Sequence, residues 1–178
     1  MLSRTAENLF WMARYMERAE ATARLLTMGQ RMTILPGATM RDEWRSVVQV
    51  TECEDVFGKD AIIREADIVE HLILNADNPA SIRACLARAR QNGKSVRTAL
   101  TQEMWEALNE GWRKLETYGV NDARREFAEI IDWVKTRAMI FRGATESGQL
   151  RNEGHDFLRV GITMSTVVRI RRRRSPIS

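Results

Sequence analysis

The chain has 178 residues, 44% apolar and 29% charged, with five Trp, nine Met and only three Pro, which suits one domain with a substantial core built of long helices. The net charge of +4 is local, because Arg169 and Arg171 to Arg174 carry five positive charges and removing them leaves −1, so the basic balance does not mark the whole domain as a nucleic-acid binder. No apolar run approaches the ~18–20 residues of a membrane span, and Glu7, Glu17 and Glu20 interrupt any leader-like start, so a soluble cytoplasmic protein without membrane contact is expected.

In chain order, the first helix spans about Ser3 to Arg31, with Ser3 or Thr5 able to cap it. Leu9, Met12, Met16, Ala19, Ala23 and Leu26 recur at 3,4,3,4,3 spacing, the seam of a helix packed against other helices. At about 100° per residue, Glu20 projects within roughly 20° of Leu9, with Glu17 and Arg24 just beyond it. Carboxylates at the rim of an apolar face need partners. Leu35-Pro36-Gly37-Ala38 then breaks the chain. A second helix, about Asp42 to Phe57, carries Trp44, Val47, Val48 and Val50 and ends at Gly58. A third, about Ala61 to Asn75, repeats Ile62, Ala66, Val69 and Ile73. Within Asn75-Ala76-Asp77-Asn78-Pro79, Asn78 can cap and Pro79 fits the first helical position.

The fourth helix runs on to about Leu100, with Ile82, Leu86, Ala89, Gly93, Val96 and Leu100 on its seam. Gly93 either admits a close neighbour or is a weak point. Thr101 caps a fifth helix to about Tyr118, faced by Trp105, Leu108, Trp112 and Leu115 and ended by Gly119. Asn121 or Asp122 starts a sixth, with Phe127, Ile131, Val134, Ala138 and Phe141 inward. Gly143 to Gly154 reads as a loop, and a last helix begins near Glu153 with Phe157, Leu158 and Val160. No segment alternates like a strand between turn signals. The expected fold is all-α, an antiparallel bundle of about six to seven helices. Residues 1–161 form one domain, and 162–178 form a divergent arginine-rich tail, disordered at its end.

Few residues carry recognisable chemistry. A carboxylate-bridged dimetal bundle needs Glu-x-x-His pairs, but Ile68 precedes His71 by three and Asn152 precedes His155. Neither a metal nor another cofactor is expected, and Asp67 with His71 at i, i+4 reads as a solvated ion pair or hydrogen bond. There is no nucleophile elbow, phosphate loop or dinucleotide fingerprint. Cys53 and Cys85 lack CxxC or metal spacing and read as buried free thiols. From Ala80 to Gln102 there are five basic residues and no acidic one. Arg83, Arg90, Lys94 and Arg97 fall within about 60° on a helix. They form either an anion or phosphate surface or a set of partners for carboxylates such as Glu17, Glu20, Glu65 or Glu70. Pairing is the favoured reading, since arginine binds carboxylate in a two-pronged geometry. Glu17 and Arg18 point about 100° apart and cannot pair with each other, whereas Arg14–Glu17 and Glu20–Arg24 are acceptable local ion pairs. The arginine tail has no interleaved aromatic residues to stack on bases.

The segment Met1-Leu2-Ser3-Arg4-Thr5-Ala6-Glu7-Asn8-Leu9-Phe10-Trp11-Met12-Ala13-Arg14-Tyr15-Met16-Glu17-Arg18-Ala19-Glu20 closely resembles the start of the alpha-E family, bacterial helical proteins named for a Glu-Arg motif, here Glu17-Arg18. Asn78-Pro79-Ala80-Ser81-Ile82, Ala89-Arg90-Gln91-Asn92, Val96-Arg97 and Trp105-Glu106-Ala107-Leu108-Asn109 also look like the family. The resemblance covers the chain to about Gly161 and implies a domain of unknown function. Its members tend to be encoded beside a circularly permuted ATP-grasp protein and a transglutaminase-like protein, which implies a role in ATP-dependent peptide synthesis or modification. The family usually has a second Glu-Arg motif, in a segment opening like Phe157-Leu158-Arg159-Val160-Gly161; Ser165-Thr166 stand at its place. The expectation is a member truncated or frameshifted after about Gly161, with an accidental arginine tail and exposed apolar surface.

The expected function is that of a non-catalytic accessory protein docking ATP-grasp and transglutaminase-like partners, with self-association as a further possibility. The candidate binding residues are Arg14, Glu17, Arg18, Glu20, Arg83, Arg90, Asn92 and Arg97. The alternatives are an enzyme component, with Glu17, Glu20, Arg90 and Arg97 forming a pocket for peptide or phosphate chemistry, and a weak nucleic-acid binder acting through the basic stripe.

Overall fold

The six seam residues of the first segment are all buried in α1, Ser3–Met32. Ala13, Glu20 and Gly29 are buried with them, so α1 is covered on more than one side. It is the central helix of the fold. The structure is a computed structural model describing residues 3–33, 40–51, 53–58, 62–147 and 153–172, without the side chains of 40–43, 54, 153 and 164–172.

The expected second helix is divided. Its parts are α2, Met40–Val50, and α3, Glu54–Phe57. Thr51 Oγ donates to the carbonyls of Val47 and Val48 at 3.0 Å, the back-bonding by which a short hydroxyl residue competes with the helix. Gly58, at φ +72°, follows α3, a conformation that glycine adopts without a Cβ penalty.

The third helix starts later than its spacing suggests. It comprises α4, Glu65–Ile68, and a π-helical turn, Val69–Leu74. The Arg64 amide donates to Asp67 Oδ2 at 2.9 Å and sets the start. Next comes α5, Ile82–Ser95, capped by Ser81, whose Oγ accepts from the Ala84 amide at 3.1 Å. Asn78 is therefore not the cap. It accepts from the Ala80 amide and donates to the His71 carbonyl, tying the turn to the helix before it. A 3-10 turn, Arg97–Ala99, leads to Leu100.

Thr101 does cap α6, Gln102–Glu116, accepting from the Met104 amide at 3.2 Å. The expected sixth helix breaks at Glu126 into α7, Val120–Arg125, and α8, Phe127–Ser147. Residues 143–147 are thus helical rather than part of a loop, and buried Thr145 donates to the Phe141 carbonyl at 2.8 Å. Last comes α9, Glu153–Arg172. The side chains of Ser165 and Thr166, and residues 173–178, lie outside the described residues.

Among the described residues there is no strand, and the fold is an all-α helical bundle. Among the described residues it has nine α-helices where six or seven were expected, because two expected helices are broken. Around α1 pack α2, α5, α8 and α9, and α6 bridges α5 and α8. Thr22 Oγ reaches the Ala80 carbonyl at 3.4 Å, while Met12 lies against Gly93, so α5 runs antiparallel to α1. A Cβ at Gly93 would stand 3.0 Å from Leu108 Cδ1 and 3.2 Å from Met12 Sδ, so this glycine admits close neighbours. Lys135 with Thr27 and Arg142 with Glu20 make α8 antiparallel to α1 as well. No described helix is long and apolar enough to cross a membrane.

Candidate functional site

Among the described residues, Glu20 is the charged group that the fold buries. Its side chain is 6% exposed, and its carboxylate accepts from Arg24 Nη2 at 2.5 Å and from Arg142 Nη2 of α8. One turn earlier, Arg14 Nη1 donates to Glu17 Oε2 at 2.7 Å, so both local pairs read from the sequence are present. Glu17 and Glu20 border a cleft between α1, α8 and α9, with Phe141 and Ile162 in its wall and about 10 Å³ of room, enough for a single water molecule. The residue that sequence reasoning missed is Arg142. Its signal was positional: it stands four residues after the inward Ala138, on the same side of α8.

The basic stripe has different partners from the carboxylates expected for it. Arg83 Nη2 donates to the carbonyls of Leu115 at 2.6 Å and Tyr118 at 2.7 Å. It thereby closes the C-terminus of α6, where unpaired carbonyls favour a cation. Arg90 Nε donates to Asn109 Oδ1 at 2.8 Å, and its guanidinium lies 4.1 Å from the Trp112 ring centroid. Arg97 Nη2 donates to Gln102 Oε1 at 2.8 Å and stands 5.3 Å over Trp105. Residues 83, 90 and 97 recur every seven, so they face one neighbour. That neighbour is α6, which offers indole faces, amides and carbonyls to the cations. Arg83, Arg90 and Arg97 of the stripe form a helix–helix contact, Lys94 is exposed, and Glu20 faces α8.

The pocket of Glu17, Glu20, Arg90 and Arg97 that the alternative enzymatic reading needs is not assembled. Arg90 and Arg97 bond to α6, and neither lines the cleft beside Glu20. Asn92 donates back to the Arg88 carbonyl of its own helix at 2.8 Å. Arg18 lies on α1, half-buried, in the electrostatic neighbourhood of Cys85 on α5.

Asp67 and His71 do not pair. Asp67 takes Arg64 instead, and that side-chain hydrogen bond holds its carboxyl below the usual carboxylate range. The π turn, with Asn75 N bonded to the Glu70 carbonyl at 2.8 Å, alters the i, i+4 alignment that an α-helix would have given. His71 instead meets the Phe57 ring edge-on at 5.2 Å, and burial lowers its pKa. Cys53 and Cys85 are both buried and free, and burial pushes the Cys85 thiol up to about 11. Among the described residues no three His, Cys, Asp or Glu side chains gather as metal ligands.

The family model Alpha-E, a predicted alpha-helical domain with a conserved ER motif, matches residues 1–167. No curated protein and no solved structure matches the chain. The chain contains one Glu-Arg dipeptide, Glu17-Arg18, and it lies in the middle of the central helix beside the buried Glu20. A match over 167 of 178 residues, joined to an all-α fold, shows that the chain belongs to the Alpha-E family.

Proposed function

We propose that this chain is a bacterial cytoplasmic accessory protein that works by binding other proteins. Its partners are an ATP-grasp protein and a transglutaminase-like protein engaged in ATP-dependent peptide synthesis or modification. Support for a docking role comes from the apolar side chains around the contact of α9 with α1. Trp11 is 40% exposed, Phe157 40% and Val160 48%. Val160 immediately precedes Gly161, with Phe157 one turn earlier, and the backbone of Gly161 rests on Phe10 and Ala13. The Phe10 ring in turn packs edge-on against Trp11 at 5.1 Å. Large apolar groups left in water around one contact suit a protein partner that covers them. The identity of the partners follows from the family resemblance.

The test is co-purification of the whole chain with the two proteins from the same genome. A complex at micromolar concentration is expected, weakened about tenfold or more by Trp11→Ala or Val160→Glu. Absence of any complex across several family members overturns the reading.

A further inference from the structure

Arg18 belongs to the motif that defines the family, yet it makes no hydrogen bond or ion pair among the described residues. Its motif neighbour Glu17 is bonded to Arg14. Arg18 therefore adds a half-buried cation to the central helix that no hydrogen bond or ion pair among the described residues uses.

Two further groups stand beside it. The antiparallel register fixed by Thr22 with Ala80 and Met12 with Gly93 sets Tyr15 and Arg18 opposite Arg88 and Cys85. The Arg88 guanidinium lies 5.7 Å over the Tyr15 ring, and that ring is its one interaction among the described residues. The Tyr15 hydroxyl makes no hydrogen bond among them either. Arg18, Arg88, Arg14 and Glu17 all bear electrostatically on Cys85, which places them in one neighbourhood. Among the described residues, these three cations against one carboxylate leave two positive charges there. No acidic residue occurs in α5, and none occurs after Asp156 in α9.

We propose that Arg18, Arg88 and the Tyr15 hydroxyl form a binding site for a phosphate group. Guanidinium groups bind phosphate oxygens through paired N–H donors, and the phenol adds a further donor. A doubly charged phosphate matches the excess charge where a single carboxylate would leave half of it. The site does not depend on the docking role proposed above.

The test is a titration of the whole chain with inorganic phosphate at constant ionic strength, read from the arginine Nε–H signals in NMR. Saturable shifts at Arg18 and Arg88 are expected. Arg18→Gln and Arg88→Gln should each weaken binding about tenfold or more, Tyr15→Phe a few-fold, and Lys94→Gln, an exposed cation elsewhere on α5, not at all. Unchanged backbone amide spectra establish that the variants fold. A parallel titration with a nucleoside triphosphate identifies the source. Tighter binding assigns the phosphate to a nucleotide, and equal or weaker binding assigns it to the free anion or a small ester. Shifts that rise linearly without saturation, that chloride reproduces, or that survive Arg18→Gln overturn the proposal.

Discussion

Replacing Arg142 leaves the Glu20 carboxylate in the interior with Arg24 alone, whose side chain is mostly in water. Breaking one side of a fully buried pair costs about 3–5 kcal/mol. Arg142 is 34% exposed, so Arg142→Ala is expected to lower the unfolding free energy by less, about 2–3 kcal/mol. The double substitution Glu20→Leu with Arg142→Leu removes both charges, and it should cost less than Arg142→Ala alone. Urea unfolding followed by circular dichroism checks both, and a double variant no more stable than the single one would refute this account. The inward direction of Glu20 was legible because helical periodicity fixes it to within a fraction of a turn. Its partner was not legible, because Arg142 lies 122 residues away and periodicity on one helix does not choose which neighbour covers it.

At the scale of the helices, Gly161 sets how closely α9 approaches α1. A Cβ there would stand 2.6 Å from the Phe10 carbonyl oxygen and 2.9 Å from Ala13 Cβ. The first obstacle is backbone and cannot rotate away, so Gly161→Ala has to move a helix. A loss of about 1–3 kcal/mol is expected, visible as a lower thermal midpoint. Gly93→Ala should cost less, since its obstacles at 3.0 and 3.2 Å are the ends of the Leu108 and Met12 side chains. A midpoint unmoved by Gly161→Ala would show that the close approach does not constrain α9. Apolar spacing made the long helices readable, and hydroxyl caps located the start of α6 at Thr101. The breaks at Thr51 and Glu126 were not readable, because no Gly or Pro marks either one. The π turn was hidden for a related reason: Ala66, Val69 and Ile73 keep a 3,4 rhythm while the hydrogen bonding widens beneath it.

For the whole molecule, the turn signals and short connections made an antiparallel bundle legible. The neighbour relations were less so. Seven-residue spacing showed that Arg83, Arg90 and Arg97 share a face, but not that α6 lies against it. Of the carboxylates that seemed to require those arginines, Glu17 found Arg14, and Glu20 found Arg24 and Arg142. The Glu-Arg motif itself was legible from wording, whereas its setting between buried Glu20 and the Arg88 guanidinium appears only when α1, α5 and α8 are brought together.

The hold of Arg83 on the end of α6 has a consequence for how the molecule opens. A free helix end frays from its last turn, each carbonyl passing to water in sequence. Here the carbonyls of Leu115 and Tyr118 share one guanidinium rooted in α5, so they are released together, and only when α5 yields too. Hydrogen exchange should therefore find the last turn of α6 protected to the same opening free energy as α5, as one cooperative unit. Arg83→Gln should uncouple them, so that the end of α6 exchanges faster while α5 keeps its protection. Independent exchange of the two in the unsubstituted protein would show that the guanidinium clasp does not couple them.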